Sequence, residues 1–179
     1  MTWRLGSTSW LLPGGWLDNS RIAADLVDDI ELLFFDLSRP EFHPTETEIE
    51  GLVKLASERS LSYTIHAPTE GVDLASADET VRSRSVEAVG QAISLARRLS
   101  SDRVVLHVEP TPEENEARER SDWRRRATRS LEELLDTGLP PAAICVENTT
   151  DDLRAIGPVV RELGLSVVLD LGHLERDGH

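Results

Sequence analysis

Five residues in this 179-residue sequence could jointly hold a metal ion. His66 closes "LSYTIHAP" (61–68), and His107 sits at the same point of "RVVLHVEP" (103–110). Glu147 ends the apolar part of "AICVENT" (143–149), and Asp170 ends that of "SVVLDLGH" (166–173), with His173 three residues further on. Imidazole and carboxylate donors together suit a divalent cation such as Zn or Mn. A lone histidine at a strand end is most often structural, and a lone carboxylate there often caps the next helix. Here four successive segments repeat the arrangement. Burying so many ionisable groups is costly without a shared partner, and a divalent cation is the economical one. Glu147 and Asp170 are the carboxylates on which catalysis would depend.

Other residues add less. Asn148 follows Glu147 and could contact a substrate or support a metal ligand from behind. Trp10 and Trp16 flank "LLPGG" and could stack on a planar ligand or close a rim. His43, in "RPEFHPT", could reach a substrate from a loop. Cys145 reads as a small core residue, since no basic neighbour lowers its pKa. As the sole cysteine it excludes an internal disulfide and points to a reducing compartment. Lys54 is the sole lysine and lies in no strand, so Schiff-base chemistry has no candidate. The net charge of −14 disfavours nucleic acid as a partner. No apolar run approaches a membrane span, and the N-terminus lacks the charged and apolar regions of a signal peptide, so a cytoplasmic location is expected.

The elements that must position these groups alternate. Strand-length apolar runs fall at 3–10, 30–36, 61–68, 103–110, 143–149 and 166–173. They show little polar alternation, as in strands covered on both faces. Between them lie helical patterns. "TETE" (45–48) and "SADE" (76–79) read as capping boxes, opening helices that run to about Arg59 and Leu99. "TPEE" (111–114), or a start near Ser121, leads to a stop at Gly138. "TTDDLRAIGPVVRELG" should close at Gly164 and bend or restart at Pro158. A weaker pattern, "DNSRIAADLVDD", follows the first strand. Repeated β-α units imply right-handed crossovers and a parallel sheet. No phosphate-binding glycine motif accompanies them, which argues against a nucleotide-binding doubly wound sheet. The fold expected is α/β, a TIM-type (β/α) barrel in one domain over 1–179. In such a barrel the C-terminal strand ends, here Asp36, His66, His107, Glu147 and Asp170, form the active site.

The ordered set His66, His107, "CVEN" and "LDLGH" resembles the xylose isomerase-like TIM barrels, and within them the endonuclease IV type. "LGSTSW", "VDDIELLFFD", "YTIHAP", "VLHVEP", "ICVENT" and "VVLDLGHL" are similar to the cobamide-remodelling phosphodiesterases, which cleave the nucleotide loop of cobamides. The resemblance implies that His66 and His107 bind one metal, that Glu147 bridges two, and that Asp170 binds the second. It also implies that His173 binds a further ion where a third is present. A complete barrel has eight strands. With six units this chain is expected to be C-terminally truncated, its second and third metal positions incomplete, with self-association through open barrel edges. His179 is a possible stray ligand.

Four functions are weighed. The first is a metal-dependent phosphodiesterase acting on a corrinoid. The second is a sugar or sugar-phosphate isomerase or epimerase using a single divalent ion. An abasic-site endonuclease would need a basic groove. A truncated, non-catalytic barrel would serve as a binding module. The paired histidines favour the first over the second.

Overall fold

A computed structural model describes residues 3–34, 43–110, 117–149 and 153–177. Six strands and six α-helices alternate. They are β1 (Gly6–Thr8), α1 (Trp16–Ala23), β2 (Asp29–Leu33), α2 (Glu46–Arg59), β3 (Ser62–His66), α3 (Glu79–Arg98), β4 (Val104–Leu106), α4 (Ala117–Leu135), β5 (Ile144–Glu147), α5 (Gly157–Leu163), β6 (Ser166–Val168) and α6 (Leu171–Asp177). The strands form one parallel sheet in the order β1-β2-β3-β4-β5-β6. Every strand lies beside its predecessor, so the sheet winds in one direction as a barrel does, with no reversal of order. Among the described residues no ladder joins β6 to β1.

Side-chain alternation divides the sheet into two faces. Ile30, Leu32, Tyr63, Ile65, Val104, Leu106, Ile144 and Val146 are buried in one apolar cluster with residues of the helices, including Leu52, Ile93, Trp123 and Leu131. Tyr63 Oη donates to Leu52 O at 2.9 Å, tying β3 to α2. The opposite face carries Glu31, Leu33, Thr64, His66 and Glu147, and it is there that the polar strand ends collect.

Local signals explain most boundaries. Thr45 and Glu48 form the expected capping box at the start of α2. Gly164, at φ +69, ends α5 in a left-handed conformation open to a residue without Cβ. Pro158 occupies the first turn of α5 and so starts the helix instead of bending it.

Several expectations need correction. The cap of α3 is Asp78, which accepts from Thr80 N and Val81 N, so the box expected at Ser76 does not form. The strands are shorter than the apolar runs, because parallel pairing needs both neighbours in register and the runs overshoot it. Helix α1 begins at Trp16, earlier than "DNSRIAADLVDD" indicates. The "TPEE" start, Asp36 and His179 lie outside the described residues. No helix among the described residues is long and apolar enough to cross a membrane.

Candidate metal centre

Three strands, the connection after β6 and one helix deliver the donors. His66 is the last residue of β3, His107 follows β4 directly, and Glu147 ends β5. Asp170 lies two residues past β6, and His173 is in the first turn of α6. The expectation that Asp170 ends a strand is therefore corrected, since β6 stops at Val168. Asp170 caps a helix, its Oδ1 accepting from Gly172 N at 2.6 Å and His173 N at 3.0 Å. Gly172 allows that approach, since a Cβ there would stand 3.0 Å from Asp170 Oδ1. His173 is carried by the helix that Asp170 caps, with its Nε2 3.7 Å from Asp170 Oδ2.

The five residues meet around one carboxylate. Glu147 Oε2 is 3.2 Å from both His66 Nε2 and His107 Nε2. The two rings stand edge to face, 5.0 Å apart. Ligand atoms of His66, His107 and Glu147 all lie within 4.8 Å of one another, as do those of Glu147, Asp170 and His173. Glu147 belongs to both groups. Its side chain is 8% exposed, so this carboxylate is largely removed from water.

The hydrogen bonds of this cluster indicate where a positive charge fits. His66 Nδ1 lies 2.9 Å from Ala67 O. A carbonyl only accepts, so the Nδ1 proton is assigned to that bond. In the neutral ring, Nε2 then turns a lone pair toward Glu147 Oε2, and two acceptors face each other. Something positive must stand between them, either a proton or a cation. Burial opposes charge on His66, yet the Glu147 hydrogen bond, the Ala67 carbonyl and the charges of Glu31 and Glu147 outweigh it and raise the pKa. Burial would raise that of Glu147, but the hydrogen bonds and charges of His107 and His66 hold it well below the usual carboxylate range. The same charges and lone pairs that favour a proton on His66 also favour a cation held between these donors. Two imidazoles and one carboxylate converging on a point fit a divalent cation of the Zn or Mn kind, and the second group fits another.

Asn148 is directed differently from a substrate contact. It is buried, and it donates Nδ2 to Asp170 O at 3.0 Å while its Oδ1 accepts from Asp170 N at 2.7 Å. Its amide extends the β5–β6 ladder by a side chain and fixes the Asp170 backbone. Of its two expected roles, the supporting one fits this geometry and the substrate contact does not. Trp10 is 68% exposed and does not line the cavity. His43 packs against Phe34 with ring centroids 5.3 Å apart, also outside the cavity lining. Burial pushes the Cys145 thiol pKa up, in keeping with an inert core residue.

The centre lies in a cavity of about 590 Å³ whose lining also includes Leu33, Leu169, Leu171 and Glu31. Sequence reasoning missed Glu31. A signal existed: a glutamate between the apolar Ile30 and Leu32, which the structure places on the same strand face as Leu33, with Glu31 opposite Thr64 and Leu33 opposite His66 on β3.

A parallel, singly wound sheet with metal donors at its C-terminal end is the arrangement of a TIM-barrel enzyme scaffold. Residues 21–179 match the xylose isomerase-like TIM barrel family, and the chain belongs to it. No curated protein matches the sequence. Solved structures that resemble it include a D-tagatose 3-epimerase-like protein, with a TM-score of 0.76 and 22% identity over 96% of this chain and 66% of that one. The D-psicose 3-epimerase of Clostridium cellulolyticum has a TM-score of 0.70 and 13% identity, over 97% of this chain and 65% of that one. The endonuclease IV of Thermus thermophilus has a TM-score of 0.66 and 20% identity, over 94% of this chain and 62% of that one. The chain spans just under two thirds of the length of these structures. At such identities the likeness is one of fold.

Proposed function

We propose that this chain carries the dinuclear metal centre of a metal-dependent phosphodiesterase, and that the ester cleaved is in the nucleotide loop of a cobamide. The observation that supports hydrolysis is the place of Glu147 in both donor groups. One carboxylate shared by two sets of ligands suits two cations held close together, an arrangement fitted to in-line displacement at phosphorus. His66, His107 and Glu147 would hold one cation, and Glu147, Asp170 and His173 the other. Two divalent cations there would supply Lewis acidity toward the phosphoryl oxygens. The chain's own residues fix the geometry. The Ala67 carbonyl orients the His66 ring, Asn148 fixes the Asp170 backbone, and Asp170 positions His173 through the first turn of α6.

The cobamide reading rests on the motif resemblance, chiefly "YTIHAP", "VLHVEP" and "VVLDLGHL", and on a net charge of −14 that discourages nucleic acid. The test is incubation of the zinc- or manganese-loaded chain with a cobamide, followed by mass spectrometry. Separation of the cobinamide portion from the nucleoside portion is expected. Intact cobamide would overturn this substrate assignment.

A second reading is a sugar 3-epimerase with a single divalent ion, favoured by the names of the D-tagatose 3-epimerase-like and D-psicose 3-epimerase structures among the fold neighbours. It predicts interconversion of ketoses at C3 by the same preparation, and one bound metal per chain.

A further inference from the structure

Glu31 lines the cavity of the metal centre but belongs to neither donor group. It lies in the middle of β2, half-buried, its neighbour across the ladder being Thr64 on β3. Its carboxylate makes no hydrogen bond or ion pair with a described residue. Asp29, two residues earlier on the same strand face, is the instructive contrast. Asp29 accepts from Thr64 Oγ1 at 2.9 Å and from Ser62 Oγ. The fold therefore satisfies one carboxylate of this strand with neighbouring hydroxyls and leaves the next facing the cavity. Leaving a half-buried carboxylate without a donor is costly, and such groups are resolved by a ligand.

The charged surroundings narrow what that ligand offers. His66 attracts Glu31, while Glu147, Asp29 and Asp170 repel it. Its oxygens fall outside the 4.8 Å spread of either donor group. A carboxylate placed beside a metal centre, but not among its ligands, can accept hydrogen bonds from a molecule held there. We propose that Glu31 accepts a hydrogen bond from a sugar hydroxyl of the bound substrate, and so selects hydroxyl-bearing sugar phosphates over their deoxy counterparts. The proposal deepens the reading of the cavity as a metal-dependent substrate site and rests on it. A site built to pair a hydroxyl discriminates strongly against the analogue lacking it, because its own polar group is then left unpaired.

The test is calorimetry on the zinc-loaded chain with ribose 5-phosphate and 2-deoxyribose 5-phosphate as probes. The unaltered chain should prefer ribose 5-phosphate by about tenfold or more. In Glu31→Ala, both probes should bind as weakly as the deoxy sugar does to the unaltered chain. Glu31→Gln, close in shape, should retain part of the preference. Zinc should remain stoichiometrically bound in both variants, since Glu31 belongs to neither donor group. No preference in the unaltered chain, or a preference that survives Glu31→Ala, would overturn the proposal. So would loss of zinc in both variants, which would make Glu31 a ligand. The phosphodiesterase reading fails separately: a chain that epimerises ketoses and leaves cobamides intact could still show the Glu31-dependent preference.

Discussion

The two donor groups share Glu147 but stand on different ground. His66, His107 and Glu147 come from β3, β4 and β5, in the middle of the sheet, where every strand has two neighbours. All four residues of β5 are buried, as are all three of β4. Asp170 and His173 come from the connection after β6 and from a seven-residue helix at the edge. There Val167 is 43% exposed, Leu169 64% and Leu171 73%. Ligands on packed strands are held in place before the ion arrives, and ligands on an edge must be held by something else. The central group should therefore bind first and more tightly, and the edge group should depend on Asn148 and the cap of α6.

The harshest way to break that comparison is to remove the residue common to both sides. Glu147→Gln should abolish stoichiometric zinc binding while circular dichroism remains that of the parent, because each group loses its only shared charge. Retention of one tightly bound zinc would show that one group stands without it. Next in size, His107→Ala should remove the tighter site, whereas Asp170→Asn should leave one zinc bound with nearly parental affinity. Metal analysis after dialysis separates the two outcomes, and equal losses would mean that position in the sheet does not matter. A smaller effect is expected from Asn148→Ala, which touches no ion. Its loss should weaken the edge site alone, by about 10–100-fold, and Asn148→Asp should not restore it, because a carboxylate cannot donate to Asp170 O.

Acidity offers a graded version. His66 has a raised pKa in the folded chain, so its contribution is complete below the unfolded value of about 6.5 and is lost as pH climbs through the folded value. Glu147 has a lowered one, so its contribution is present above about 4.3 and is lost as pH falls through the folded value. The metal-free centre is thus best stabilised between roughly pH 4.3 and 6.5. Zinc competes with the His66 proton, so the rise in Tm caused by zinc should grow as pH passes above the folded His66 pKa. Thermal melts with and without zinc across this range would check the sign. A zinc increment that shrinks with rising pH would contradict it.

The same centre-to-edge difference governs how much the sequence disclosed. The central strands were legible because burial on both faces forces long apolar runs, and the polar residue that ends each run then stands out: His66, His107 and Glu147. The two faces of β3 were legible from a different signal, the alternation of polar and apolar residues from Ser62 to His66. Edge and cap geometry was less legible. Asp78 displaced Ser76 as the cap of α3 because several polar residues there could each accept from the first turn, and only backbone conformation selects one. Asp170 looked like a strand end because "SVVLD" is apolar up to it, yet β6 stops at Val168 where the ladder with β5 ends. Glu31 was hidden inside an apolar run. Only the register with β3 shows that it faces the same cavity as His66.

The edge itself supplies the smallest expected effect. β6 pairs with β5 on one side, and among the described residues nothing pairs with its other side. Unpaired backbone groups on an edge strand recruit other chains, and exposed apolar side chains beside them add to the attraction. Val167, Leu169 and Leu171, on and just after β6, are exposed, and Leu5, just before β1, is 63% exposed. Self-association through these edges is therefore expected at high protein concentration. Leu169 lies past the end of β6, so replacing it leaves the β5–β6 ladder intact. A fully buried leucine is worth about 1.5–3 kcal/mol, and a rim residue that is only partly covered in the assembly contributes less, on the order of 1 kcal/mol. Leu169→Glu should consequently weaken association about fivefold in sedimentation velocity. Glutamate adds repulsion between copies of a chain already at −14, so the direction is unambiguous at low salt and should fade as salt is raised. The control is Val53→Glu, on the outer face of α2 and far from either edge in the strand order, which should leave sedimentation unchanged. If the two variants sediment alike, the association does not use the sheet edge, and the exposed apolar residues at β6 are not what distinguishes the outer strands from the centre.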